Sequence, residues 1–235
     1  MEERFSRTAL LIGENGVERL KKSRVAVFGV GGVGSFTVEA LARLGIGHLT
    51  LVDPDTVAES NLNRQLIALR SNIGEYKVDA AKARVLDINP DADVEALKLF
   101  YLPENADDFD VSRFDCIVDA IDTVSAKLEL ITRAKAAGVP IISSMGTGNK
   151  MHPEMLEISD ISKTSVCPLA RVMRRELRSR GIKELAVVYS KEEAIEPKED
   201  IFLPNGKKTV GSISFVPGAA GLLIASKVCE FLLEN

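Results

Sequence analysis

Gly29, Gly31, Gly32 and Gly34 form a cluster between an apolar run beginning at Arg24 (RVAVFGV) and a helical pattern from Ser35 to Leu44. Glycines at such a junction let the backbone approach phosphates, while the helix N-terminus offers unpaired N–H groups. A nucleotide is expected there. Asp53 ends the next apolar run, HLTLVD, roughly 20 residues beyond the last glycine, a place from which a carboxylate accepts hydrogen bonds from ribose hydroxyls. These features alone fit NAD, FAD or ATP. Further along stand SNLNRQ (residues 60–65) and Lys77 at the start of a helical pattern. Arg64 and Lys77 suit a triphosphate, where charge builds on the bridging and leaving oxygens during transfer. Asp122 closes the run VDAID, where a lone carboxylate can hold Mg²⁺ against the phosphates. Each has an ordinary reading: Arg64 a solvated loop charge, Lys77 a helix surface residue, Asp122 the N-cap of a helix near Ser125. Taken together they favour an adenylating site.

The elements that must hold these groups alternate. Apolar runs at residues 24–30, 48–53, 94–99, 115–120 and 139–143 read as strands, and patterns at 35–44, 75–87 and 125–137 read as helices. Several of the runs are continuous Val/Ile/Leu. The fold class this implies is α/β, a Rossmann-like doubly wound, mostly parallel sheet covered on both faces. Beyond residue 146 the alternation weakens into strands at 155–159, 184–190 and 210–216 and helices at 168–180 and 219–233. With no linker between the parts, 1–235 is read as a single domain: a nucleotide-binding core (1–150) and an elaborated C-terminal half facing substrate (151–235).

Composition narrows the classes further. The 235 residues are 46% hydrophobic and 27% charged, which excludes a disordered or fibrous chain. A net charge of −4 gives no global attraction to nucleic acid or anionic membrane, so a polyanion site must be local. Cys116, Cys167 and Cys229 form no C-x-x-C pair, so neither a thiolate zinc site nor a disulfide framework is expected, and a cytoplasmic location fits. Neither a signal peptide nor a membrane span is expected.

One local site is visible. In the helix opening at Pro168, Leu169, Val172, Met173 and Leu177 share one side at 100° per residue, and Arg171, Arg174, Arg175 and Arg178 gather opposite. Like-charged i,i+4 pairs oppose the helix, and the spacing shows no acidic residue on that face to relieve them; a phosphate backbone would. Glu176 falls towards the apolar side and does not fit the pattern.

The glycine cluster, D-x-D-x-V, S-N-L-N-R-Q, the lysine of G-x-x-K and the I-D at 121–122 together resemble the ubiquitin-activating superfamily, which includes molybdopterin-synthase and thiamine-pathway adenylyltransferases. The resemblance covers residues 1–150. It implies that Gly32, Asp53, Asn61, Arg64 and Lys77 contact ATP, that Asp122 holds Mg²⁺ and is essential for adenylation, and that R-F-S-R supplies an arginine finger, Arg7, to the opposite subunit of a homodimer. Sulfur-carrier-activating relatives hold zinc in two C-x-x-C pairs, which this chain lacks. The segments DISKTSVCPLARVMRRELRSRGI and VVYSKEE instead resemble the tRNA threonylcarbamoyladenosine dehydratase branch. That resemblance implies ATP-dependent ring closure of a threonylcarbamoyl group on tRNA, with tRNA meeting the arginine face. Whether a sulfur-mobilising cysteine desulfurase system assists, and whether a monovalent cation binds, stay open. The rival readings are activation of a ubiquitin-like sulfur carrier's C-terminus, a nicotinamide oxidoreductase, and an RNA-binding protein retaining a nucleotide as a plug.

Overall fold

Val25, Val27, Leu49 and Leu51 point to one side of a sheet, Ala26, Phe28 and Ile117 to the other, and all are buried. The computed structural model, which describes residues 2–199, 201–202, 206 and 208–234, accordingly covers the sheet on both faces. Its strands are β1 (Arg24–Phe28), β2 (His48–Val52), β3 (Asp93–Leu97), β4 (Cys116–Asp119), β5 (Ile141–Ser144), β6 (Leu156–Asp160) and β7 (Ala186–Ser190). They lie in the order β3-β2-β1-β4-β5-β7-β6. Every pairing is parallel except that of β6, which runs antiparallel along the edge beside β7. The expected doubly wound sheet is present, and the C-terminal half continues it.

The helices are α1 (Ser6–Lys22), α2 (Gly34–Leu44), α3 (Lys77–Ile88), α4 (Val124–Ala136), α5 (Pro168–Ser179) and α6 (Phe215–Glu234). Helix α2 stops at Gly45, whose φ of 90° is the left-handed C-cap conformation. α6 packs closely on α2: a Cβ on Gly221 would sit 2.4 Å from the Val33 oxygen, and the Thr37 hydroxyl donates to the Gly221 carbonyl at 3.0 Å. By length and composition α6 could cross a membrane, but Val216, Ala220, Ile224, Val228 and Leu232 are buried in the core beside α2. α4 and α5 cover the opposite face with Leu130, Ile131, Met173 and Leu177.

One sequence expectation fails here. Residues 210–216 form no strand: the Gly211 backbone bonds to Asn149 instead of to a strand, and Phe215 and Val216 open α6. Pro217 is tolerated in that first turn, where no intrahelical N–H is needed. Conversely, α1 gave no sequence signal, because Gly13 (φ 75°, ψ 164°) kinks it and interrupts its apolar stripe.

Candidate nucleotide-binding and adenylation site

Strand order reverses between β1 and β4, and the carboxyl ends of β1, β2 and β4 open there into a cavity of about 500 Å³. The glycine loop forms one wall. Gly29 has φ 87°, and a Cβ on it would come within 2.5 Å of the Ala120 oxygen, while one on Gly34 would lie 1.8 Å from the Gly29 oxygen. Only glycine permits that turn. Gly29, Gly31 and Gly32 line the cavity, whereas Gly34, buried at the start of α2, shapes the loop without lining it. The first turn of α6 brings Pro217 against Gly32.

Asp53 stands at the end of β2 and is 5% exposed. Its carboxylate accepts the N–H of Val30 at 2.7 Å and of Asp55 at 2.9 Å, which ties it to the glycine loop. Burial pushes its carboxyl above the ordinary value, against the pull of Lys77 and those two N–H donors. Lys77, the first residue of α3, is 5% exposed and reaches Asp55 at 2.7 Å and Asp53 at 3.9 Å. Arg64 is half-buried on the same wall, its guanidinium donating to the Ser60 carbonyl and the Asn63 side chain, both at 2.9 Å.

Asp122 also lines the cavity, and it is exposed. The helix-cap reading fails: Thr123 is the N-cap of α4, and the Asp122 carboxylate meets no partner among the described residues. Asn61 lies off the cavity wall; its side chain accepts the Ala58 N–H at 3.0 Å, and its carbonyl accepts from Arg64 and Gln65, so it holds the turn carrying Arg64. Arg7 is exposed on the first turn of α1 and is also absent from the wall.

Two further groups suit a polar ligand. Gln65 Oε1 and the Tyr101 hydroxyl are buried on the wall without a hydrogen-bond partner among the described residues, an arrangement costing about 1–3 kcal/mol each unless a ligand supplies one. Tyr101 sits edge-on to Phe28 and Phe109, ring centroids 5.1 and 6.2 Å away, and burial pushes its phenol up to about 12, so it remains a donor at neutral pH. The glycine cradle and these orphaned atoms fit a nucleotide, and a hard carboxylate oxygen beside them fits Mg²⁺.

A model of the ThiF family matches residues 5–235. The chain belongs to this family. It is 45% identical to the tRNA threonylcarbamoyladenosine dehydratase of Bacillus subtilis, over all of this chain and 96% of that one. The crystal structure of the Escherichia coli tRNA N6-threonylcarbamoyladenosine dehydratase in complex with AMP superimposes with a TM-score of 0.90 at 32% identity, covering 99% of this chain and 94% of that one. The ATP complex of the same enzyme gives 0.89 at 32% identity and the same coverage.

Within this ThiF-family chain, the far wall of the cavity comes from residues 144–148, Leu169 and 210–212. Asn149, in the left-handed region at φ 55°, fixes that wall: its N–H donates to the Gly211 carbonyl at 2.7 Å, and its side chain accepts the Gly211 N–H at 2.6 Å. Gln65 closes the S-N-L-N-R-Q motif, which assigns it no role, and no motif signals Asn149 or Tyr101, which lie in irregular segments.

The arginine face needs correction. Arg174 is half-buried and donates to the Thr164 carbonyl at 2.8 Å and to the Thr164 hydroxyl, so it anchors the turn before α5. Glu176 is not on the apolar side: it pairs with Arg175 at 2.9 Å and Arg180 at 3.3 Å and relieves charge that the spacing left unopposed. Arg171 and Arg178 are exposed, with no side-chain partner among the described residues. Cys116 and Cys167 are buried and Cys229 is half-buried; burial pushes the Cys116 thiol up to about 12.

Proposed function

We propose that this protein is an ATP-dependent enzyme that dehydrates threonylcarbamoyladenosine in tRNA by activating its threonyl carboxylate as an acyl-adenylate. The carboxylate attacks the α-phosphorus of ATP and pyrophosphate leaves. The side chain then closes on the activated acyl carbon, and AMP departs carrying the oxygen lost from the substrate. The nucleophile for closure lies within the modified nucleoside, so no protein thiol is required.

In this reading the N–H groups of Gly31 and Gly32 hold phosphate oxygens, Gly29, whose own N–H goes to the Val52 carbonyl at 2.8 Å, shapes the turn, and Asp53 accepts the ribose hydroxyls. Arg64 and Lys77 stabilise the departing pyrophosphate; Lys77 would exchange the exposed Asp55 carboxylate for a phosphate while Asp53 keeps it aimed. Asp122 binds Mg²⁺, which when bound neutralises charge on the triphosphate. Arg7 reaches a triphosphate from a second copy of the chain, making the enzyme a homodimer. Arg171 and Arg178, with Arg175 at the edge, face the tRNA backbone. The same reading places the enzyme in the cytoplasm with its substrate.

The observation that carries the proposal is the Asp122 carboxylate, without a partner among the described residues, on the wall shared by the glycine loop, Arg64 and Lys77. Mass spectrometry of threonylcarbamoylated tRNA after incubation with protein, ATP and Mg²⁺ tests it. Loss of one water from the modified nucleoside, dependent on ATP, is expected; unchanged mass would refute it.

A further inference from the structure

Directly behind Asp122 lie two charged side chains with no place in the scheme above. Asp119, the last residue of β4, and Lys127, in α4, are both fully buried, and the ammonium meets the carboxylate at 3.0 Å. Their remaining bonds converge on one residue. Lys127 Nζ donates to the Ile121 carbonyl at 3.1 Å, and Asp119 accepts the Ile121 N–H at 3.2 Å. From β5 the Ser143 hydroxyl, also buried, donates to the other Asp119 oxygen at 2.6 Å. Both backbone polar groups of Ile121, the residue immediately before Asp122, are therefore held by a single buried ion pair.

We infer that the Asp119–Lys127 pair, locked by Ser143, is a positioning device that fixes the Asp122 carboxylate for its divalent cation. Among the described residues the Asp122 carboxylate meets no partner, so the backbone of the turn between β4 and α4 sets its place. That same turn presents the Ala120 oxygen to Gly29, so the pair also sets the distance between the carboxylate's turn and the phosphate cradle. Stability alone does not explain the pair, since apolar residues of similar volume in place of a buried ion pair are often neutral or stabilising. An apolar pair, however, offers nothing to the N–H and C=O of Ile121. Outer groups that orient a ligating carboxylate act on metal affinity in this way.

The inference rests on Asp122 as the metal ligand, and the experiment separates the two. Mn²⁺, standing in for Mg²⁺, is titrated by electron paramagnetic resonance into full-length protein saturated with a non-hydrolysable ATP analogue. The proteins are wild type, Asp119→Asn/Lys127→Met, Ser143→Ala and Asp122→Asn. The double variant removes the pair's charges together, while its Asn can still accept the Ile121 N–H. It is expected to bind Mn²⁺ about 10- to 100-fold more weakly, with nucleotide affinity in the absence of metal unchanged. Ser143→Ala removes one bond without leaving a buried charge and is expected to weaken Mn²⁺ by a few-fold; if the double variant does not fold, this one decides. Wild-type Mn²⁺ affinity in the folded variants, alongside its loss in Asp122→Asn, would overturn the positioning role. Wild-type affinity in Asp122→Asn would instead remove the metal-ligand reading, and the inference with it.

Discussion

The two walls of the cavity are built differently. On the nucleotide wall, ligand groups sit at strand ends and helix starts: the glycine loop between β1 and α2, Asp53 at the end of β2, Lys77 opening α3, Asp122 after β4. Asp53 is tied to Val30 at 2.7 Å, and the turn before Asp122 is held by the buried Asp119–Lys127 pair. The opposite wall is irregular, made of small residues and backbone at 146–148 and 210–212, and held by Asn149. A ligand common to a superfamily can be served by the fold itself, whereas a particular substrate is served by loops whose shape depends on a few side chains.

The sharpest way to break this comparison is Asp122→Ala. Because the carboxylate meets no partner among the described residues, thermal unfolding should be unchanged while AMP formation falls by about 10²–10³-fold or more. Normal turnover would detach the nucleotide wall from the chemistry. Gly34→Ala comes next: its Cβ would lie 1.8 Å from the Gly29 oxygen, so calorimetry should show loss of ATP binding, and denaturation a destabilisation of about 1–3 kcal/mol.

Away from the cavity, along α5, the effects should fall on tRNA. Arg171→Gln/Arg178→Gln should leave ATP affinity intact and lower the slope of log K for tRNA against log salt by about one to two, as expected for two lost phosphate contacts. Arg174→Gln should instead lower the melting temperature, since that guanidinium is spent on Thr164. Equal effects of the two variants on tRNA would erase the distinction drawn between these arginines.

The smallest effect concerns acid. Burial would raise the Glu192 carboxyl, but N–H donors from Met151 and His152 outweigh it and hold it below the ordinary value of 4.5. A carboxyl lowered in the folded state adds stability above its unfolded value and loses it as pH falls through the folded one. Glu192→Gln should therefore be less stable than wild type at neutral pH, with the gap closing below about pH 4 in melts across the range.

The same division explains what could be read from sequence. Glycines at a strand–helix junction and carboxylates at strand ends have a physical reason for their spacing, so Gly29, Gly31, Gly32, Asp53, Lys77 and Asp122 could be placed on one crevice before any coordinates. Arg174 could not be sorted from its neighbours, because a helical wheel ranks residues within α5 and is blind to the turn at 161–164 packed beneath it. Glu176 was misassigned for a related reason: its carboxylate reaches along the helix flank to Arg175 and Arg180. Residues 210–216 alternate like a strand, yet the Gly211 backbone is held by Asn149 and Phe215 and Val216 already belong to α6, which alternation alone does not reveal. Lys127 lies within an ordinary helical pattern, and only the packing of α4 on β4 reveals the carboxylate it meets.

The central claim is that a substrate carboxylate displaces pyrophosphate from ATP. It is tested most directly by supplying tRNA whose threonylcarbamoyl carboxylate carries ¹⁸O at both oxygens and weighing the AMP released. The account predicts one labelled oxygen in AMP for each ring closed. Unlabelled AMP accompanying cyclised tRNA would contradict it.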